Sequence, residues 1–374
     1  MLCCVQPLAQ QRRRSASSPD DVKRRGRSGD CSQQEEEEDD DERDVRAAPI
    51  RILASAYGYD LGRMIGRGGL TDEVRLLLDR DARRFVGKFY VYGEEDDGDA
   101  QGKAQTQMKR EHHRREVAAM SKLAGGVGCP NIVSMRAAFD NGRTLHCVVV
   151  DYMASGDMFD YVKRRTRLTE QECVWLGRGV FRALAYCHAN HVVHGDVKLE
   201  NLFVADPTDL STVKLADFGL SAVADDREES WMPLARRRAL VGGESCDCSA
   251  AARAARRVRG TVPYMAPEVV DATMCPVYES DVWCAAVACL IGMIGYVPFY
   301  PEGGEREDGR VLPTRSNVQQ MVEQHARSSR IVRRALADVG ASDVAERFFR
   351  RALDVSPYNR PSAQQCLEHQ WLIQ

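Results

Sequence analysis

The sequence predicts an α+β chain in which a β-rich first part with one main helix precedes a larger, mainly helical second part. Three observations predict it. From Tyr59 onward short apolar runs of β type are broken by glycines, beginning with Leu61–Ile65, Gly66-Arg67-Gly68-Gly69 and Glu73–Leu78. At Thr169 the pattern turns helical, with Glu172 three residues on as a capping box. Beyond Asp281, Val282–Tyr300 holds about nineteen residues without a charge. That run is long enough to span a membrane, but Gly292, Gly295 and Pro298 interrupt it and Asp281 heads it, so it reads as a buried helix.

Composition sets bounds. A chain of 374 residues with 44% hydrophobic content can bury a sizeable core. The net charge of −3 points neither to nucleic acid nor to a membrane surface. Thirteen scattered cysteines without a C-x-x-C pair suggest neither disulfides nor a zinc site, and fit a reducing compartment. The expected location is therefore cytoplasmic or nuclear, the latter because Arg12–Arg14 and Lys23–Arg27 resemble a nuclear localisation signal. Residues 1–55 carry those basic clusters and the acidic run Glu35–Glu42 with almost no apolar periodicity, and are expected to be a disordered tail. Cys3-Cys4 before the first basic cluster could accept palmitate.

The β-rich part continues through Phe85-Val86-Gly87-Lys88, and then a Gly- and Gln-rich acidic stretch, residues 93–107, reads as a loop before a helix over Met108–Leu123. Asn131-Ile132-Val133 and Leu145–Val150 read as two further strands, the second apolar throughout and so buried on both faces. The helix opened by Thr169 should run to about Asn190, and closing helices are expected around Arg330–Asp354 and Ala363–Trp371.

Between these elements lies the stretch that carries chemistry, His194-Gly195-Asp196-Val197-Lys198-Leu199-Glu200-Asn201, followed by Asp217-Phe218-Gly219. A hydroxyl nucleophile needs an acceptor for its proton, which Asp196 offers. Lys198 would steady a transferring phosphate. Neutralising a triphosphate also needs divalent metal, and Asn201 and Asp217 supply the hard oxygen ligands that Mg²⁺ prefers.

These residues resemble the eukaryotic protein kinase family, whose catalytic loop reads H-R-D-x-K-x-x-N and whose metal loop reads D-F-G. The resemblance covers about residues 58–372 and implies a bilobal kinase fold over 56–374, with a small lobe 56–152 and a large lobe 153–374. It implies ATP and Mg²⁺ as cofactors. Ile65, Gly66 and Gly68 match the glycine-rich loop over the phosphates, with Thr71 at the third glycine's place and Val74 one position late for the adenine cover, so that this loop contains an extra residue. Val86 stands at the usual Ala over adenine, Lys88 matches the phosphate-holding Lys, and Glu116 is its implied partner. Asp151 and Met153 match the hinge groups that pair with the adenine edge, Val150 the gatekeeper, Asp157 a ribose-facing position and Phe203 the floor beneath adenine. Gly260–Glu268 matches the end of the activation segment, in which Thr261 would bond Asp196 and Lys198, and Arg360 would pair with Glu268. The excess between Asp217 and Ala266, about residues 224–259, reads as an Arg-rich insert.

Lys198 and Gly260-Thr261 resemble serine/threonine rather than tyrosine kinases, nearest to the calcium/calmodulin-dependent and AMP-activated group. The implied partners are proteins bearing Ser or Thr, with upstream basic residues facing Asp157 and Glu200, and neither nucleic acid nor a membrane span. Gly195, in the place of the usual Arg, departs from the pattern. With Thr71 and Val86 it motivates the alternative of a pseudokinase that binds nucleotide or a partner without transferring phosphate.

Overall fold

A computed structural model of the chain describes residues 47–92, 100–223, 260–270, 277–300, 306–307, 310–311 and 315–373. The basic clusters and acidic run of the tail, residues 93–99 and the insert 224–259 lie outside the described residues. The chain divides into two compact units, residues 10–113 with 135–152, and residues 1–9, 114–134 and 153–374.

The smaller unit is built on an antiparallel sheet of order β1-β2-β3-β5-β4, with β1 Asp60–Gly66, β2 Glu73–Leu78, β3 Arg84–Val91, β4 Met135–Asp140 and β5 Leu145–Asp151. One face is covered by a helix over residues 47–56, α1. Its apolar residues recur at helical spacing: Ala47, Ile50, Leu53 and Ala54 are buried. Ile50, Leu53 and Ala54 share one core with Leu77, Phe89, Phe139, Leu145, Cys147 and Val149. The period of two along β5 places its odd-numbered residues on this face. Gly87 lies in the middle of β3 because a Cβ there would come within 2.7 Å of the Leu77 side chain. Just past α1, Tyr57 stacks on Phe139 with ring centroids 4.2 Å apart.

The structure therefore corrects the tail at its end. Residues 47–55 are helical and join the core, so the folded part begins by residue 47. The segment's apolar residues, Ile52 among them, lie on the exposed face as well as the buried one, so the sequence shows no clear stripe; what orders the segment is the sheet face that Ala47, Ile50, Leu53 and Ala54 cover.

The main helix, α2, spans Ala100–Ala124 and begins eight residues before the expected Met108. Ala, Gln and Lys are good helix formers, and the single Gly102 does not break the run. Asn131-Ile132-Val133 forms a single bridge, Ile132 to Leu215, rather than a strand. The Asn131 amide donates to the carbonyls of Ser211 and Val213 at 2.7 and 2.8 Å, which holds this segment within the larger unit, and the strand forms later at β4.

In the larger unit, α3 is Met158–Arg165 and α4 is Glu170–Ala189. The capping box at Thr169 is present: Thr169 N–H donates to Glu172 Oε2 at 2.8 Å, and Glu172 N–H to Thr169 Oγ1 at 3.3 Å. After the short α5, Pro267–Val270, the uncharged run forms α6, Tyr278–Ile294, every residue of which is buried. It stops at Gly295, whose φ of 80° is left-handed and where a Cβ would lie 2.4 Å from the Thr166 carbonyl oxygen. Among the described residues no helix is long and apolar enough to cross a membrane. The expected helix over Arg330–Asp354 is two, Ser328–Asp338 and Asp343–Ala352, parted at Gly340 with φ of 70°. Ala363–Leu367 and Gln370–Ile373 close the chain. There Trp371 packs on Phe348 at 4.7 Å, and its indole N–H donates to Glu170 at 3.1 Å, which ties the end of the chain to the start of α4.

If α1 belongs to the core, Leu53→Ala should destabilise the smaller unit by about 2–5 kcal/mol, whereas the exposed Ile52→Ala should change it by less than about 0.5 kcal/mol. Thermal or urea unfolding followed by hydrogen exchange at β4 and β5 measures both; equal effects would return α1 to the tail.

Candidate active site

The larger unit holds the catalytic stretch on a loop between β6, Val192–Val193, and β7, Leu202–Phe203. Two backbone amides anchor it. His194 N–H and Gly195 N–H donate to the two carboxylate oxygens of Asp281 at 2.8 and 2.9 Å. Asp281 lies in the first turn of α6 and is 1% exposed. His188 Nε2 lies 2.9 Å from the same carboxylate. The His194 ring is fixed in turn: its Nδ1 accepts from Asp196 N–H at 3.2 Å, which leaves Nε2 to donate to the Ala216 carbonyl at 3.1 Å. Its edge meets the Phe218 ring at 4.8 Å.

Gly195 has φ of 80°, and a Cβ on it would stand 2.9 Å from the Leu220 carbonyl oxygen. Glycine meets no penalty there, whereas a side chain at this place must strain or move the neighbouring backbone.

The Asp196 carboxylate is held on both oxygens. Lys198 Nζ donates to Oδ2 at 2.7 Å, and Thr261 donates to Oδ1 through both its N–H and its hydroxyl at 3.0 Å. Lys198 Nζ also donates to Thr261 Oγ1 at 2.8 Å, so Asp196, Lys198 and Thr261 form a closed triangle. Thr261 thus occupies the role expected of it.

Asn201 donates through Nδ2 to the Asp196 carbonyl at 2.8 Å, so its side-chain oxygen is the atom that could take a cation. Leu202 pairs with Leu215 and Phe203 with Lys214, and Ala216 N–H donates to the Asn201 carbonyl at 2.9 Å. This ribbon brings the segment that carries Asp217 beside the one that carries Asn201. Asp217 itself has a left-handed φ of 67°. One amide oxygen and one carboxylate fit Mg²⁺, which keeps waters and takes substrate phosphate oxygens rather than a full protein cage. Among the described residues no group of three or more His, Cys, Asp and Glu could hold a metal.

Asp157 caps α3, accepting from Asp160 N–H at 2.8 Å, and pairs through its backbone with Phe203. Burial raises its carboxyl above the usual range. Met153 belongs to the same unit and is half-buried, and its carbonyl accepts from Gly156 N–H at 3.4 Å. Glu200 accepts from the Tyr264 hydroxyl at 3.2 Å, and burial raises its carboxyl too. Glu116, on α2, is 1% exposed.

The Glu268–Arg360 pair is also present, bidentate with both N–O distances 2.7 Å. The Ser280 hydroxyl donates to Glu268, and the Arg360 guanidinium lies over the Trp283 ring at 4.9 Å. This pair locks the end of the activation segment to α6.

The smaller unit carries the other matched residues. In its sheet Val74 stands opposite both Gly66 and Lys88, and Val86 opposite Val150. Ile65 and Gly66 end β1, whose pairing with β2 shifts register twice, and Gly68 N–H closes on the Thr71 carbonyl at 3.0 Å. Asp151 ends β5, and its carboxylate takes the Arg136 guanidinium at 2.5 and 2.9 Å.

Comparison with known proteins agrees with this arrangement. The family model described as "Protein kinase domain" matches residues 59–372. The chain is 30% identical over 322 residues to "Calcium-dependent protein kinase 9" of Oryza sativa subsp. japonica, covering 84% of this chain and 45% of that protein. To "Calcium-dependent protein kinase 24" of Arabidopsis thaliana it is 28% identical over 332 residues, or 87% and 47%. To the rice "Calcium-dependent protein kinase 8" it is 29% identical over 321 residues, or 84% and 48%. It spans about half the length of these curated relatives. The chain belongs to the protein kinase family.

Sequence reasoning missed Asp281 as the anchor of the catalytic loop. Its signals were Asp281-Val282-Trp283, which resembles the family's D-x-W-x-x-G with Ala286 in the place of the Gly, and a carboxylate beside Glu279 in the first turn of an apolar helix, where an ordinary N-terminal charge would serve equally well.

Proposed function

We propose that the chain is a protein serine/threonine kinase that transfers the γ-phosphate of ATP to Ser or Thr hydroxyls with Mg²⁺. The observation that carries this is the closed triangle of Asp196, Lys198 and Thr261 with Asn201 bonded beside it. In this reading Asp196 accepts the proton of the attacking hydroxyl as the new O–P bond forms and ADP leaves. Lys198 neutralises charge on the transferring group, while Lys88, with Glu116 its expected partner, holds the other phosphates. Mg²⁺ on Asn201 and Asp217 would supply charge neutralisation, and the backbone at Asp151 and Met153 would receive adenine. The pseudokinase alternative draws on Gly195, Thr71 and Val86, none of which removes a group that performs chemistry.

Transfer from ATP to a peptide library tests the proposal, with Asp196→Asn as control. The variant should lose about 10²–10⁴-fold in rate with nucleotide affinity nearly intact. Turnover equal to wild type would overturn the assignment of the base, and nucleotide binding without turnover in wild type would establish the pseudokinase.

Substrate choice follows from Glu200 and Asp157, two carboxylates on the same unit suited to Arg upstream of the target hydroxyl. Because the Glu200 carboxyl is raised, it takes up its proton at a higher pH than an ordinary carboxylate. The preference for upstream Arg should therefore weaken on acidification at a higher pH than an ordinary carboxylate would give, read as the ratio of turnover on peptides with and without the Arg. A preference unchanged by Glu200→Ala would remove this assignment.

Control is expected to be independent of segment phosphorylation. Gly195 has no guanidinium to gather a phosphorylated segment, and the triangle at Asp196 is complete on its own bonds. Phosphatase treatment should leave activity within about twofold. A loss of tenfold or more, regained on rephosphorylation within residues 220–261, would contradict it.

A further inference from the structure

Asp72 stands at the exit of the glycine-rich turn, between Thr71 and the start of β2 at Glu73. Its N–H donates to the Phe89 carbonyl at 3.0 Å, which carries the pairing of β2 with β3 one residue past Glu73. Its carboxylate leaves the loop altogether. Oδ2 accepts from Val91 N–H at 2.8 Å, and Oδ1 accepts the Lys109 ammonium at 2.5 Å. Lys109 stands on α2, and the two side chains are 16% and 28% exposed for Lys109 and Asp72. One carboxylate thus joins the exit of the loop, the end of β3 and the first part of the main helix, residues 100–113, which belong with them to the smaller unit.

The exit of the loop is packed as well. Thr71, next to Asp72, is 7% exposed, and its carbonyl closes on Gly68 N–H. A Cβ on Gly68 would lie 3.1 Å from that of Thr71, so the tip packs against its own exit. The Val91 amide fixes the carboxylate, so a displacement of α2 must either break the ion pair or pull on residues 71 and 72. From there it passes to the glycines.

Resting on the kinase reading above, we propose that Asp72 is a positioning residue. Its pair with Lys109 couples the placement of α2 to that of the glycine-rich loop, and so to the loop's hold on nucleotide phosphates.

The test uses the full chain with Asp72→Ala, Lys109→Met, the double variant and Asp72→Asn, which keeps an acceptor for Val91. Hydrogen exchange over Gly62–Val74 and along α2 is read first, then affinity for MgATP, then KM and kcat. Asp72→Ala and Lys109→Met should each speed exchange in the loop and raise Kd and KM for MgATP by about fivefold, with kcat changed by less than about twofold. The double variant should be no worse than the worse single, and Asp72→Asn should fall between Asp72→Ala and wild type. Additive single effects, or loop exchange unchanged in both singles, would overturn the coupling. The exchange arm needs no phosphotransfer: a wild type that neither binds nucleotide nor turns over sinks the kinase reading, while exchange alone still decides for or against Asp72.

Discussion

The carboxylate of Asp281 takes two consecutive amides of the catalytic loop, and the position of every reactive group in the larger unit follows from that bond pair. It is an ion taken almost wholly out of water, which is unfavourable unless its lone pairs are filled. His194 N–H, Gly195 N–H and His188 fill them. Its place in the first turn of α6 adds the favourable end of the helix dipole. The helix that bears it has no exposed residue, so the anchor cannot shift without moving the core of the unit. A loop of mostly short side chains thereby acquires the rigidity of the central helix.

The same helix positions the loop's second boundary. Glu268, in the segment that begins six residues after Thr261, is held by Arg360 and by Ser280 of α6. One buried element therefore fixes Asp196 from the loop side and Thr261 from the segment side, and the triangle between them closes where the two constraints meet. Preorganisation of this kind matters more to rate than the strength of any one bond, since the acceptor of a proton must already point at its donor when the transition state forms.

The parts of this fold that were legible in the sequence are those decided by nearby residues. Thr169 with Glu172 needs only one helical turn, and α4 begins where they say. β1, β2, β3 and β5 were legible because their alternation or continuity is local, whereas the strand expected at Asn131-Ile132-Val133 forms instead as β4, Met135–Asp140. What was not legible is settled by contacts far along the chain. Asp281 lies 87 residues from His194, and nothing around either one announces the other. Residues 47–56 become a helix only because Phe139, Leu145 and Cys147 leave a face to cover. Asn131-Ile132-Val133 has strand-forming composition, yet the donors of Asn131 find carbonyls at Ser211 and Val213, and the tertiary bond overrides the propensity. The helix Arg315–Ala326 gave no signal strong enough to be expected at all.

Gly195 shows how a departure from a family pattern can be consistent with the geometry around it. The backbone there is left-handed while both amides reach Asp281, and the Leu220 carbonyl sits where a Cβ would go. A larger residue would gain a side chain at the expense of backbone strain; glycine removes the strain and with it any charge at that place. The Asp196 carboxylate then meets Lys198 as its neighbouring cation, while Thr261 and Asn201 contribute neutral donors. A group that must accept a proton in the transition state is served by being held on both of its oxygens, and the loop holds Asp196 so without a side chain at position 195.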